Sequence, residues 1–398
     1  MRLTVFHIVT LSICVSLDTA AQITFQRLIK AAEYLNCNSI ALTSDGGYIL
    51  TGNVWGSGVD KCDVALIKMN QQGKVIWSKN YGGTKNDFGH KVTQTSDSGY
   101  VIAGQTESFS MYPDLYLFKT DSEGNEQWSK TFGSSGDDIG NSGVPTSDGG
   151  YALIGGIDKI KAGRSRDIFL VKVDSSGNTQ WVKEFGSTEE EEGLCIEQTL
   201  DKGFIIGGFA DTRNTKQRNI ILIKTDKEGN KEWTKFYRGE GVRIISEVIQ
   251  LTDGGYAISG DIHDHSSVPP RSDALVIRTD SLGKVIWEKY FGINDIVVCN
   301  SIVQDTEGNL VITGNIGTYQ DRKSFFIYLM CINLEGDQLW VKTYGGDDFN
   351  TSHDLQLCPD GGFVIVGDTK SFGDHRTKAL IIKTDASGAC KKFVLNTD

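Results

Sequence analysis

Ser39-Ile-Ala-Leu-Thr-Ser-Asp45-Gly-Gly-Tyr48-Ile-Leu-Thr-Gly52, a loop, and then Asp63-Val-Ala-Leu-Ile-Lys68-Met-Asn70-Gln-Gln-Gly73-Lys-Val-Ile-Trp77-Ser-Lys-Asn-Tyr81-Gly-Gly83 make one complete unit of this chain. Its runs are short, rich in Val, Ile and aromatic residues, and bounded by Gly or Asp, which is strand rather than helix chemistry. Asp45-Gly-Gly supplies the side-chain acceptor and the positive φ that a tight reversal needs. Each unit therefore holds four strands, A to D. Strand A ends at the Asp-Gly-Gly turn, B is the Gly-Tyr-Ile-Leu-Thr-Gly type, C is Asp-Val-Ala-Leu-Ile-Lys, and a second turn leads into D.

The unit recurs about every 52 residues. Its turn acid returns at Asp97, Asp148, Asp201, Asp253, Glu307 and Asp360, and the strand-D tryptophan at Trp128, Trp181, Trp233, Trp287 and Trp340. Seven turn signals in register predict seven units, and four strands in each predict an all-β, seven-bladed β-propeller. An open solenoid would need polar caps at its ends, and neither end carries one. The seventh unit has Lys392 where tryptophan should stand. Ile23-Thr-Phe25-Gln-Arg-Leu-Ile29, one period before Trp77, reads as an orphan strand D. The N-terminal strand is thus expected to complete the last blade and cover its edge. The alternative is that Cys390-Lys-Lys-Phe-Val-Leu395 fills that place.

Composition bounds the rest. The 398 residues carry 46 glycines, 5 prolines and a formal net charge of −11, a soluble globular balance. An acidic chain lacks the basic footprint that nucleic acid or an anionic membrane requires, so neither is an expected partner. Arg2, the apolar stretch Leu3 to Leu17 and the small residues Thr19-Ala20-Ala21 read as a signal peptide cleaved after Ala21. Residues 22–398 are then a single propeller domain, secreted, periplasmic or on the cell surface, without a membrane span, and monomeric. Cys37, Cys62, Cys195, Cys299, Cys331, Cys358 and Cys390 remain. An exported compartment permits disulfides, but the number is odd and no metal-type spacing occurs, so most are read as small core residues with room for one bridge.

The C–D hairpin, Lys-Thr-Asp-x-x-Gly-x-x-x-Trp, resembles the repeat of quinoprotein-like (PQQ-type) propellers, and the whole unit is similar to modules of uncharacterised exported bacterial propeller proteins. That resemblance spans the chain after residue 21. It implies the fold and says little of function. The quinoprotein dehydrogenases it resembles have eight blades, a calcium-held cofactor and an adjacent cysteine pair, which this chain lacks, so no cofactor is expected. Calcium is chemically conceivable at the acidic D–A connections, yet no Asp-x-Asp-x-Asp-Gly loop supports it, and no metal site is expected.

In a repeat, whatever every copy shares holds the architecture. The turn acids, the tryptophans and the series Lys68, Lys119, Lys172, Lys224, Arg278, Lys383 are structural by that test. Function is sought where the copies differ, on the face shared by the B–C and D–A connections. Its B–C loops hold Trp55, Phe109 to Tyr112, Lys159 to Arg166, Arg213 to Arg218, His263 to His265, Tyr319 to Lys323 and Phe372 to Arg376.

Seven residues before each turn acid stand Asn38, His90, Asn141, Leu194, Ser246, Asn300 and His353. In a propeller these ring the channel mouth. Asn300, His353, Asn38, His90 and Asn141 would form one polar arc suited to a hydroxyl-rich or anionic ligand, or they merely cap strand ends. The expectation is a non-catalytic binding module for an extracellular glycan or protein. The alternative is a carbohydrate-active enzyme, polysaccharide lyase before glycosidase, with His90, His353, Tyr112, Tyr319 and Arg376 as candidate catalytic residues.

Overall fold

The structure is a computed structural model that describes residues 22–29, 34–56, 61–158, 165–187, 189–212, 217–264, 271–292, 296–318, 324–372 and 377–391. Residues 1–21, read as the leader, lie outside them. The described residues form 28 strands and no helix. The first array shows the plan: β2 (Tyr34–Leu42), β3 (Tyr48–Trp55), β4 (Cys62–Met69) and β5 (Val75–Tyr81) pair antiparallel in chain order. The same order recurs behind the inner strands β6 (Asp87–Gln94), β10 (Ile139–Pro145), β14 (Glu191–Gln198), β18 (Val242–Gln250) and β22 (Ile296–Gln304). The fifth and sixth arrays also touch through one parallel pair, Ser272 with Ile296.

The last array is built from both ends of the chain. Its inner strands are β26 (Asn350–Leu357), β27 (Phe363–Thr369) and β28 (Lys378–Lys383), and its outer strand is β1 (Phe25–Ile29). β1 lies antiparallel to β28, with Phe25 opposite Lys383 and Ile29 opposite Ala379. The N-terminal strand therefore fills the D position, as its spacing from Trp77 implies. The rival segment, Cys390 to Leu395, lies largely outside the described residues.

Burial follows position in the array. β3 is buried along nearly its whole length because neighbouring arrays cover both its faces. That is why strands B and C read as unbroken apolar runs. Outer strands such as β5 alternate between partial and full exposure. The tryptophans join one array to the next: Trp77 packs on Tyr100 at 5.9 Å between ring centroids, Trp128 on Tyr151 at 6.0 Å, Trp181 on Phe204 at 6.0 Å, and Trp233 on Tyr256 at 5.9 Å. Trp340 meets Phe363 at 6.3 Å, while Trp287 packs against an apolar cluster that includes Leu310 and donates its Nε1–H to the Leu334 carbonyl at 2.7 Å. Phe25 on Tyr48, 6.1 Å, repeats the contact between the last array and the first, so the arrays close into a ring.

The lysine series has the same architectural meaning. Lys68 is buried, and its Nζ donates to Asp45 and Thr43, each at 3.0 Å, fixing the A–B turn whose Gly46 stands at φ 78°. Lys172 with Asp148, Lys224 with Asp201, Arg278 with Asp253 and Lys383 with Asp360 repeat it. Although burial works the other way, hydrogen bonds from the lysine and from the turn threonine hold Asp45, Asp97 and Asp148 down to about 2. The seven cysteines are free thiols, six of them buried, and none bridges another. The core is apolar enough without a staple.

Candidate functional site

Each residue expected at the channel mouth proves to be the extra residue of a β-bulge. Pairing between the inner strand and its neighbour slips at Cys37/Ser39, Gly89/Lys91, Gly140/Ser142, Gly193/Cys195, Ile245/Glu247, Cys299/Ser301 and Ser352/Asp354. The skipped residues are Asn38, His90, Asn141, Leu194, Ser246, Asn300 and His353. A bulge turns its side chain out of the pleat, and here several of these side chains reach the next array. Asn38 Nδ2 donates to the Gly89 carbonyl at 2.8 Å, Asn141 Nδ2 to Gly193 at 2.8 Å, Ser246 Oγ to Cys299 at 2.6 Å and Asn300 Nδ2 to Ser352 at 2.6 Å. The acceptor is always the residue just before the next bulge. A second set works in reverse: Asn53, Asp261, Asn315 and Asp368 accept the backbone N–H of Gly89, Cys299, Ser352 and Cys37.

The two histidines differ. His353 Nε2 lies 2.9 Å from Asp368 Oδ2, so a buried carboxylate orients the imidazole. His90 stacks near Phe88, with 6.3 Å between centroids. His90 is partly buried, and burial pushes its pKa down to about 4, so it is neutral at neutral pH. Asn38 and Asn300 adjoin the bulges of His90 and His353, and Asn141 points on toward Leu194. Tyr112 stands exposed on the B–C loop of the second array and has no hydrogen bond or ring contact to either histidine among the described residues. Tyr319 and Arg376 lie outside the described residues.

One register deeper sits a group that the arc reasoning missed. Six residues before the turn acids stand Ser39, Lys91, Ser142, Cys195, Glu247, Ser301 and Asp354. Lys91 Nζ lies 3.3 Å from both Asp354 oxygens and 3.7 Å from Glu247 Oε1, which joins the second, fifth and seventh arrays across the centre. Ser39 Oγ and the Ile40 N–H donate to Asp354 at 2.8 and 3.0 Å, and Ser301 Oγ and the Ile302 N–H to Glu247 at 2.6 and 3.0 Å. Burial pulls the ammonium down, but the carboxylates of Asp354 and Glu247 outweigh it and hold Lys91 above its ordinary value. Glu247 is raised by burial, against the pull of Lys91. Nearby Glu197 is pushed up to about 7 by burial, with the Glu247 charge adding to it. The sequence signal was a lysine and two acids at a register otherwise held by Ser and Cys.

Among the described residues no group of three or more His, Cys, Asp or Glu side chains could hold a metal ion. The loop face also carries Phe109, Met111 and Tyr112 together, with Met111 82% exposed.

No protein-family model matches the chain. In an alignment of 361 positions that covers 83% of this chain, it is 21% identical to an uncharacterised WD repeat-containing protein of Acanthamoeba polyphaga mimivirus, of which it spans 21%. Among solved structures it is similar to puromycin hydrolase (TM-score 0.60, 11% identity, 90% of this chain and 53% of that one). It is also similar to the GH93 alpha-L-arabinofuranosidase of Fusarium graminearum in complex with arabinobiose (0.53, 11%, 93% and 99%) and to the Neurospora crassa Pan2 WD40 domain (0.52, 9%, 90% and 91%). These likenesses carry the fold alone: the chain is an all-β, repeat-built protein with a propeller-like fold.

Proposed function

We propose that this chain is a closed seven-bladed propeller, a single domain over residues 22–398, exported after loss of residues 1–21, that serves as a monomeric, non-catalytic binding module. Its ligand is an extracellular glycan or protein, taken on the B–C/D–A loop face around the ring centre. The observation that carries this reading is the belt of bulge side chains. Asn38, Asn141, Ser246 and Asn300 are engaged with backbone carbonyls of the next array, which makes them fasteners of the scaffold. The copies differ at the loop tips instead, where Phe109, Met111 and Tyr112 offer an apolar contact area rimmed by polar groups.

A second reading rests on one geometry. His353 held by Asp368 at 2.9 Å is the arrangement of an oriented general base, and two of the similar structures are a glycosidase and a hydrolase. One experiment separates the two. The purified protein is incubated with acidic and neutral polysaccharides while binding and new reducing or unsaturated ends are followed. Binding without product, retained in His90→Ala and His353→Ala, is the expected result. Product that disappears in either variant would overturn the non-catalytic reading.

A further inference from the structure

Every Asp-Gly dipeptide of the chain falls in an A–B turn: Asp45-Gly46, Asp148-Gly149, Asp253-Gly254 and Asp360-Gly361. Such a pair is open to self-isomerisation, because glycine has no side chain to shield its amide nitrogen. That nitrogen attacks the aspartate Cγ, a C–N bond forms, and the carboxyl hydroxyl leaves as water with the amide proton. Water then opens the succinimide ring at either carbonyl, returning aspartate or giving isoaspartate, whose main chain runs through Cβ. The carboxyl must be protonated to lose its hydroxyl, and the nitrogen must be free to approach it. Other arrays lack the pair. Ser98 and Lys202 follow the acid in the second and fourth, at φ 65° and 69°, and Glu307 in the sixth would have to close a larger ring.

The turn geometry opposes both requirements. The Gly46 N–H donates to the Thr43 carbonyl at 2.8 Å, and Gly149, Gly254 and Gly361 donate to Thr146, Leu251 and Cys358, each at 2.9 Å. Donors around the carboxylates favour their ionised form. Lys68 Nζ lies 3.0 and 2.8 Å from the two oxygens of Asp45, and Lys172 Nζ 3.1 and 3.0 Å from those of Asp148. The Thr43 and Thr146 hydroxyls add a bond at 2.5 Å to the same two acids. Lys383 spans both oxygens of Asp360 at 3.0 and 2.9 Å. Asp253 is held less. Leu251 stands where threonine does in the first and third arrays, and Arg278 gives this acid only Nη2, at 2.7 Å. Nη1 of the same guanidinium donates instead to the Leu334 carbonyl at 2.8 Å. A Cβ on Gly254 would meet nothing within 4 Å, so the turn has open space around it.

We propose that the basic residue of strand C guards these turns against isoaspartate, and that Asp253-Gly254, the least guarded of them, is where the modification enters the folded protein. The added main-chain carbon would break the bond from the Leu251 N–H to the Gly255 carbonyl, 2.8 Å, and slacken that hairpin. The inference goes beyond what the loop face binds, since the A–B turns lie at the opposite ends of the strands. The test is ageing of the intact protein at neutral pH beside Lys68→Met, Thr43→Val and Leu251→Thr. Isoaspartate at each turn is read by chromatographic peptide mapping with isoaspartyl methylation. A urea-unfolded sample supplies the intrinsic rate of each turn, by which the folded rate is divided.

The expected result is that isoaspartate accumulates first at Asp253 and more slowly at Asp45, Asp148 and Asp360. Lys68→Met speeds conversion at Asp45 by at least about fivefold, because losing a charged donor raises the protonated fraction of the acid. Asp148 in the same molecule is unmoved and serves as the control for loss of the fold. Thr43→Val raises the rate at Asp45 by about twofold, and Leu251→Thr, which supplies the missing hydroxyl, lowers it at Asp253 by about twofold. Conversion no faster at Asp253 than at Asp45 in the folded protein would overturn the proposal. So would a rise in Lys68→Met that Asp148 shares equally, since the lysine would then act on the whole fold and not on its own turn. If Lys68→Met does not fold, Thr43→Val and Leu251→Thr decide the matter, and unchanged rates in both would count against the guard.

Discussion

At the scale of single residues, the sharpest feature is Lys91. A cation shared by Asp354 and Glu247 in a confined centre neutralises charge that three distant parts of the chain bring together. Removing one partner of a buried pair leaves an uncompensated charge and typically costs a few kcal/mol. Lys91→Met is therefore expected to lower unfolding stability by about 2–4 kcal/mol in urea titrations. The double change Lys91→Met with Asp354→Asn should cost less than the sum of the two single changes. Equal additivity would show that the triad is not coupled. Residue identity was only partly legible in the sequence. The repeat showed that the turn lysines and acids are structural, because they recur. It did not show that Asn38 and Asn300 reach the next array, because a bulge is a backbone event that leaves no side-chain pattern of its own. Lys91 was visible as a departure, but which acids it meets depends on three strands, each distant from the others in the chain, folding to one point.

At the scale of elements, the strands were legible almost throughout: apolar runs of seven to nine residues between Gly and Asp became strands of that length. The closing strand was legible too, since Phe25 stands one period before Trp77 and takes up the tryptophan's packing against the following array. Where the sequence left two candidates for the D position, the pairing of β1 with β28 supplies the occupant. Phe25→Ala should then act at the seam rather than locally. It removes the ring that meets Tyr48 and lies against Gly73, where an added Cβ would come 2.5 Å from Phe25. The expected loss is about 3–4 kcal/mol, with hydrogen exchange accelerated in β1, β28 and β2 together. Faster exchange confined to β1 would mean that the seam does not act as one unit.

At the scale of the whole molecule, titration of the interior sets a pH dependence with opposed parts. Glu197 and Asp261 are raised to about 7 by burial. Their folded pKa values exceed the unfolded ones, so they favour the fold at low pH and lose that contribution as pH rises from about 4 through about 7. His90 is lowered to about 4. Below about 6.5 its unfolded form takes a proton that the folded form refuses, so it removes stability as pH falls toward 4. The two slopes oppose each other between about 4.5 and 6.5, each at most about 1.4 kcal/mol per pH unit per proton. Glu197→Gln should therefore shift the slope toward lower stability on acidification across that window, and His90→Gln should shift it the opposite way, as read by denaturant midpoints at fixed pH. A curve unmoved by either change would remove these groups from the linkage.

The joining of β1 to β28 has a further consequence for how the chain comes into being. Synthesis from the N-terminus makes Phe25–Ile29 before every other described strand, but its partner, Lys378–Lys383, only after all of them. Until then six arrays have neither a first neighbour nor a last. The clasp thus acts as a proofreading step on completeness: a nascent chain cut short anywhere before residue 383 remains an open arc with two sticky ends. A permuted chain whose new termini fall in a B–C loop, with the old ends linked, would carry the clasp within one continuous hairpin and lose that check.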